Sequence, residues 1–264
     1  VATAQAVDGL LGSDMTLLRV GPGRYLPRLA APQWVRTVPE TLLPQPMTER
    51  LLPLEELAPG LADRVADPFY EDQGETEMAV GAGNPDQARL PVAYHHYQCG
   101  TLKLRLQDLR LFNVPGPVAV VTFITPEGDE MPVWVNTETR LLYGLLVFYR
   151  EQLPPAGGLL EIERSLGQTE AYQIVAEPAT DPATYIGKDR LAQLEALGAR
   201  LGRKRATLTE VVAAVLHGVP KGLAFDQLWA QVNVTRRVTR LQLASVLTVE
   251  GKFEPGDGGR WRLA

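Results

Sequence analysis

Arginine supplies the most distinctive chemistry in this chain. Arg236, Arg237 and Arg240 stand together in the run NVTRRVTRLQL, with Thr239 among them. Each guanidinium carries N–H donors in a fork that matches the paired acceptors of a guanine edge or the oxygens of a phosphate. On a helix turning by about 100° per residue, Arg236, Arg240 and Arg237 fall at about 0°, 40° and 100°, one basic face with Val238 and Leu241 opposite. Further cations flank this run: Arg203, Lys204 and Arg205 upstream, Lys252, Arg260 and Arg262 downstream. These ten residues form the candidate site. A solvated basic surface is the plainer reading of the same residues.

Other chemistry is thinly provided. The segment HHYQC gathers His95, His96 and Cys99, but neighbours on a strand point to opposite faces and no second ligand cluster stands elsewhere, so it reads as a semi-buried polar strand. No metal or other cofactor is expected. Cys99 is the single cysteine and cannot close an internal disulfide. There is no phosphate-binding glycine loop, no HExxH and no GxSxG, and three histidines are few for acid–base work. Asp108 or Asp129 with Glu161 and Glu163 is the best set for a Mg²⁺-dependent nuclease, yet Arg164 stands where such enzymes place a lysine. A non-enzymatic protein is the expectation.

Charge divides the chain. From Lys188 to Ala264 there are 13 Lys and Arg against 7 Asp and Glu, net +6; the other 187 residues keep 13 of the 26 cations and 24 of the 31 anions, net −11. A basic module on an acidic body can attract phosphate, because screening confines the field to roughly 8 Å at physiological salt. With 45% apolar and 22% charged residues the chain can build a real core, which excludes wholesale disorder. Its 264 residues exceed a typical domain of roughly 100 to 200, so more than one unit is expected. Neither a span of about 20 apolar residues nor a secretory leader is visible, so no membrane partner and a cytoplasmic location are expected.

Five segments follow from the patterning. Residues 1–30 read as a helix end and two strands about the Gly21-Pro22-Gly23 turn. Residues 31–93 form a connector, first rich in proline, then acidic over 67–89. Residues 94–180 alternate as strands, TLKLRLQ, PVAVVTFIT, MPVWV, LLEIERS and AYQIVAE, around one main helix over 137–152. This order predicts an α+β fold with a half-open, barrel-like domain. Residues 188–205 form a connecting helix with leucines at 191, 194, 197 and 201. Residues 206–264 give a helix capped by Thr207 and Glu210, a second over roughly 225–232, a third from 233–235 to about 247, and a hairpin about Gly256-Asp257-Gly258-Gly259.

This tail resembles the winged helix-turn-helix domains, most closely the HARE-HTH type. The resemblance rests on the Ala- and Val-rich first helix ending in Gly218, the phrase VPKGLAFDQLWAQV, and the closing hairpin with Trp261 and Leu263. It implies association with double-stranded DNA through the third helix, in an accessory factor of transcription or genome maintenance, nucleoid-associated if the source is bacterial. Residues 1–30 share a helix end, strand, glycine turn and strand with the tail and resemble a remnant of a second winged helix, whose first helices would lie upstream. The run VWVNTETRLLYGLLVFYREQLPPAGGLLEIER resembles, more faintly, the DNA-binding pseudobarrels, and the same domain suits homodimerisation. The alternative function is an adaptor whose winged helix docks on transcription or replication machinery; a nuclease is the third.

Overall fold

The computed structural model describes residues 6–7, 9–11, 14, 16–21, 23–27, 30–65, 86–112, 114, 116–165 and 171–264. Most of the acidic stretch of the connector, and parts of the first segment, lie outside these residues. The fold is α+β, with a nearly closed, barrel-like sheet of seven strands and several helices.

The barrel strands are β3 (Gln87–Val92), β4 (Thr101–Lys103), β5 (Val118–Ile124), β6 (Glu130–Asn136), β7 (Leu141–Tyr143), β8 (Gly158–Arg164) and β9 (Ala171–Thr180), in the order β3-β8-β9-β5-β6-β7-β4. All neighbours are antiparallel except β5 and β9. Alternate residues of β5, among them Val121 and Phe123, turn inward and meet Leu160, Ile162, Tyr172 and Ile174 from β8 and β9. Phe148 and Tyr149, on the helix Leu146–Gln152, join this core, and the buried Tyr149 hydroxyl donates to the Thr101 carbonyl at 2.9 Å. Burial pushes that phenol well above its ordinary pKa. Gly100 turns the chain into β4 with φ 63°, and a Cβ there would lie 2.6 Å from the Leu146 backbone nitrogen, so only glycine fits.

Three expectations need correction here. The main helix covers only Leu146–Gln152, because Leu141–Tyr143 pairs with β6 and β4 as a strand, and Gly144 at φ 103° breaks the helical path. His95 and His96 lie on a helix, Tyr94–Cys99, not a strand; both are buried, and His96 Nδ1 is hydrogen-bonded to the Thr101 hydroxyl at 2.8 Å. Gln87–Val92, within the supposed connector, is a barrel edge strand.

The proline-rich stretch of the expected connector is packed against the rest of the fold. A helical turn at Gln33–Arg36 sets Val35 against Val118, Leu141 and Tyr143, and the Val35 carbonyl accepts from Asn136 Nδ2 at 2.9 Å. Ahead of it, β1 (Leu17–Gly21) and β2 (Arg24–Pro27) form an antiparallel hairpin beside β5.

The connecting helix runs over Lys188–Arg203, and the tail beyond it carries helices at Leu208–His217, Phe225–Thr235 and Arg240–Val249. Strands β10 (Leu223–Ala224), β11 (Phe253–Pro255) and β12 (Arg260–Leu263) make a small antiparallel sheet, order β10-β12-β11. Leu208, Val212, Val215, Leu228, Val232, Leu243 and Trp261 share one core with Ile186 and Ala156 from the barrel side. The His95 ring also meets Trp229 edge-on at 5.9 Å.

Candidate nucleic-acid interface

The turn between the second and third tail helices decides where the arginines go. Thr239 Oγ1 accepts from the Gln242 amide and Gln242 Oε1 accepts from the Thr239 amide, both at 2.9 Å, so this capping box starts the third helix at Arg240. The second helix runs on to Thr235, and its Asn233 side chain organises the turn: Oδ1 accepts from the Val238 amide at 3.1 Å, Nδ2 donates to Trp229 O at 2.9 Å. Arg236 and Arg237 therefore precede the third helix instead of lying on it.

The outward basic face read from the sequence is not present. Arg236 donates to the carbonyls of Ala206, at 2.9 Å, and of Pro46. Arg237, only 7% exposed, donates to Leu42 O at 3.0 Å, Asn233 Oδ1 at 3.0 Å and Val238 O at 2.7 Å. Arg240 pairs with Asp226, donates to Arg64 O at 3.3 Å, and lies 4.6 Å from the Trp229 ring centroid. Thr239 is buried and spent on the cap. Wheel angles hold only within one helix, and each of these arginines takes one acceptor from residues 42–64, far off in sequence: Pro46, Leu42 and Arg64.

That segment is a strap along the third helix. Gln242, Ser245 and Thr248 recur every three residues, one polar stripe of the helix. Gln242 Nε2 donates to Gln45 O at 3.1 Å, Ser245 Oγ accepts from the Leu52 amide at 3.0 Å, and Thr248 Oγ1 accepts from the Ala58 amide at 3.0 Å. A proline-rich backbone makes few bonds to itself, so its polar groups seek side-chain partners. The Gln45 amide also donates to Arg237 O at 2.9 Å. Leu61, just before the short helix Ala62–Val65, and Val65 at its end are buried in the tail core, and Leu52 is buried too. Each such side chain contributes about 1.5–3 kcal/mol.

Glu49 fastens the strap to the first tail helix, accepting from the Thr209 amide at 2.7 Å. Burial pushes its carboxyl up, but bonds from Thr209, its own amide and Thr48 favour the ionised form and hold it below the usual carboxylate value. A carboxyl depressed in the folded state stabilises above its unfolded pKa, and this contribution is lost as pH falls through the folded one. Urea titrations should therefore show wild type more stable than Glu49→Gln at neutral pH, the gap closing in acid; a gap independent of pH contradicts the role assigned to the charge.

The remaining candidates stay outside. Arg203, Lys204 and Arg205 are exposed where the Lys188–Arg203 helix ends, and Arg203 Nε donates to Ala199 O at 3.1 Å. Lys252 is exposed beside β11. Arg260 is exposed on β12 and donates to Gly222 O at 3.3 Å, while the exposed Arg262 forks onto Glu254 across the β11–β12 pair at 2.7 and 2.9 Å. Lys221 was not among the candidates, yet it is exposed and adjoins the Gly222 carbonyl that Arg260 holds. Its position in the phrase VPKGLA was the available signal; its nearness to the hairpin follows only from the β10–β12 pairing.

No family model, curated protein or solved structure matches this chain. Two of the four carboxylates considered for metal chemistry have other engagements: Asp108 takes a forked bond from Arg105 at 2.8 and 2.9 Å, and Glu161 accepts from Gln87. Among the described residues no group of three or more His, Cys, Asp or Glu side chains is placed to hold a metal ion. No helix among them is long and apolar enough to cross a membrane.

Proposed function

We propose that this chain binds double-stranded DNA, that residues 206–264 are a winged helix-turn-helix module, and that the contacts are to phosphates. The observation that carries the reading is the exposure of Arg203, Lys204, Arg205, Lys221, Lys252 and Arg260 on the net-positive stretch from Lys188 to Ala264, while Arg236, Arg237 and Arg240 are engaged internally. The order helix, strand, helix, helix, strand, turn, strand supports the same reading. Phosphate contacts position a protein on a duplex and carry the sequence-independent part of affinity. An accessory role in transcription or genome maintenance, in the cytoplasm or on a bacterial nucleoid, goes with it, and the barrel is the proposed homodimerising or second contact surface.

A gel-shift titration with mixed-sequence duplex over a range of salt tests this. Log affinity should fall linearly with log salt, by about 0.9 per phosphate contact, and Lys204→Ala/Arg205→Ala/Lys252→Ala/Arg260→Ala should make that slope shallower by about 3 to 4. No retention of duplex at low salt overturns the proposal. The covered face of the third helix favours the adaptor reading as second choice, and that negative result together with retained folding is the outcome it expects.

A further inference from the structure

We infer that the strap, residues 42–65, fixes the mode of duplex binding: it keeps the third tail helix away from base edges, so the protein grips DNA without reading its sequence. The inference rests on the DNA-binding reading above and adds to it the class of site recognised. Base discrimination in a major groove needs free side-chain donors and acceptors along the inserted helix. On Arg240–Val249 the polar stripe Gln242, Ser245 and Thr248 is bonded, residue by residue, to Gln45, Leu52 and Ala58 of the strap. The arginines beside that stripe spend donors on Leu42, Pro46 and Arg64, again strap residues.

Opening the strap for a duplex is unfavourable on two counts. Leu52, Leu61 and Val65 are 4%, 2% and 0% exposed, so lifting them returns apolar surface to water. To turn a population from 1:99 open to 99:1 open, DNA would have to prefer the open state by about 10⁴-fold. The strap's exposed charges, Glu55, Glu56 and Asp63 against Arg50 and Arg64, with Arg50 already paired to Glu56, leave a net negative charge that disfavours phosphate. The exposed cations of the hairpin and of residues 203–205 remain for the backbone.

Two measurements on the full chain test this together. Selection from a randomised duplex library should enrich no consensus, and the selected pool should bind within a factor of about 3 of the starting pool, well short of the roughly tenfold steps that base readout produces. Hydrogen exchange at the Leu52 and Ala58 amides should be equally slow with and without duplex. A consensus bound more than about tenfold tighter, or faster exchange of those amides on adding DNA, overturns the inference while leaving DNA binding intact. Failure to retain any duplex removes both.

Discussion

Arg237→Ala should lower the stability of the tail by about 3–5 kcal/mol, through lost charge-assisted bonds and the cavity left by the side chain. The guanidinium joins three parts of the chain that nothing else brings to one point: the strap at Leu42, the second tail helix at Asn233, and the turn at Val238. Deleting it strips a partner from buried acceptors and leaves Trp229, 5.9 Å from the guanidinium, looser. Guanidinium chloride titration followed by tryptophan fluorescence measures the loss. Arg260→Ala is the control, with stability within about 0.5 kcal/mol of wild type because its side chain is exposed. An Arg237→Ala protein that unfolds like wild type but no longer retains DNA would restore the base-reading role that the buried geometry argues against.

Gly222→Ala should be comparably damaging, on the order of 3 kcal/mol or more, for a backbone reason. Gly222 has φ 70°, and a Cβ there would lie 2.5 Å from Trp261 O and 3.0 Å from Trp261 C. Neither is a flexible side-chain end that can swing aside. Relief requires parting β10 from β12, which also breaks the Arg260 bond to Gly222 O and releases the hairpin from the tail core. Thermal unfolding should show the loss, and duplex affinity should fall with it because Lys221 and Arg260 lose their fixed spacing. A variant as stable as wild type would mean that the strand pairing is dispensable. Glycine at 222 thus links a backbone requirement to the proposed contact surface.

Strands and caps were legible where the signal is local. PVAVVTFIT and MPVWV alternate or run apolar as hairpin strands, and pair from Val118↔Asn136 to Ile124↔Glu130. The Thr207 and Glu210 spacing reports a capping box that is formed. The helix of HHYQC was not legible, since six residues carry too little periodicity, and its two histidines are buried by contacts from Thr101 and Trp229. The start of the third helix was misplaced for a related reason: Asn233 and Thr239 are both good caps by type, and the choice between them depends on Asn233 being drawn back to Trp229 and Val238.

Local patterning thus carries an inventory: an α+β chain, most of its strand segments, a capped first tail helix, and a tail richer in cations than the rest. Which cations face solvent is settled by contacts between distant segments. Charge and periodicity act over a few residues, whereas the burial of Arg236, Arg237 and Arg240 depends on carbonyls some 170 to 200 positions away, supplied by a proline-rich segment whose own backbone needs partners. A guanidinium satisfied by protein oxygens and one awaiting a phosphate are the same residue in sequence, and differ only in what the fold brings within hydrogen-bond reach.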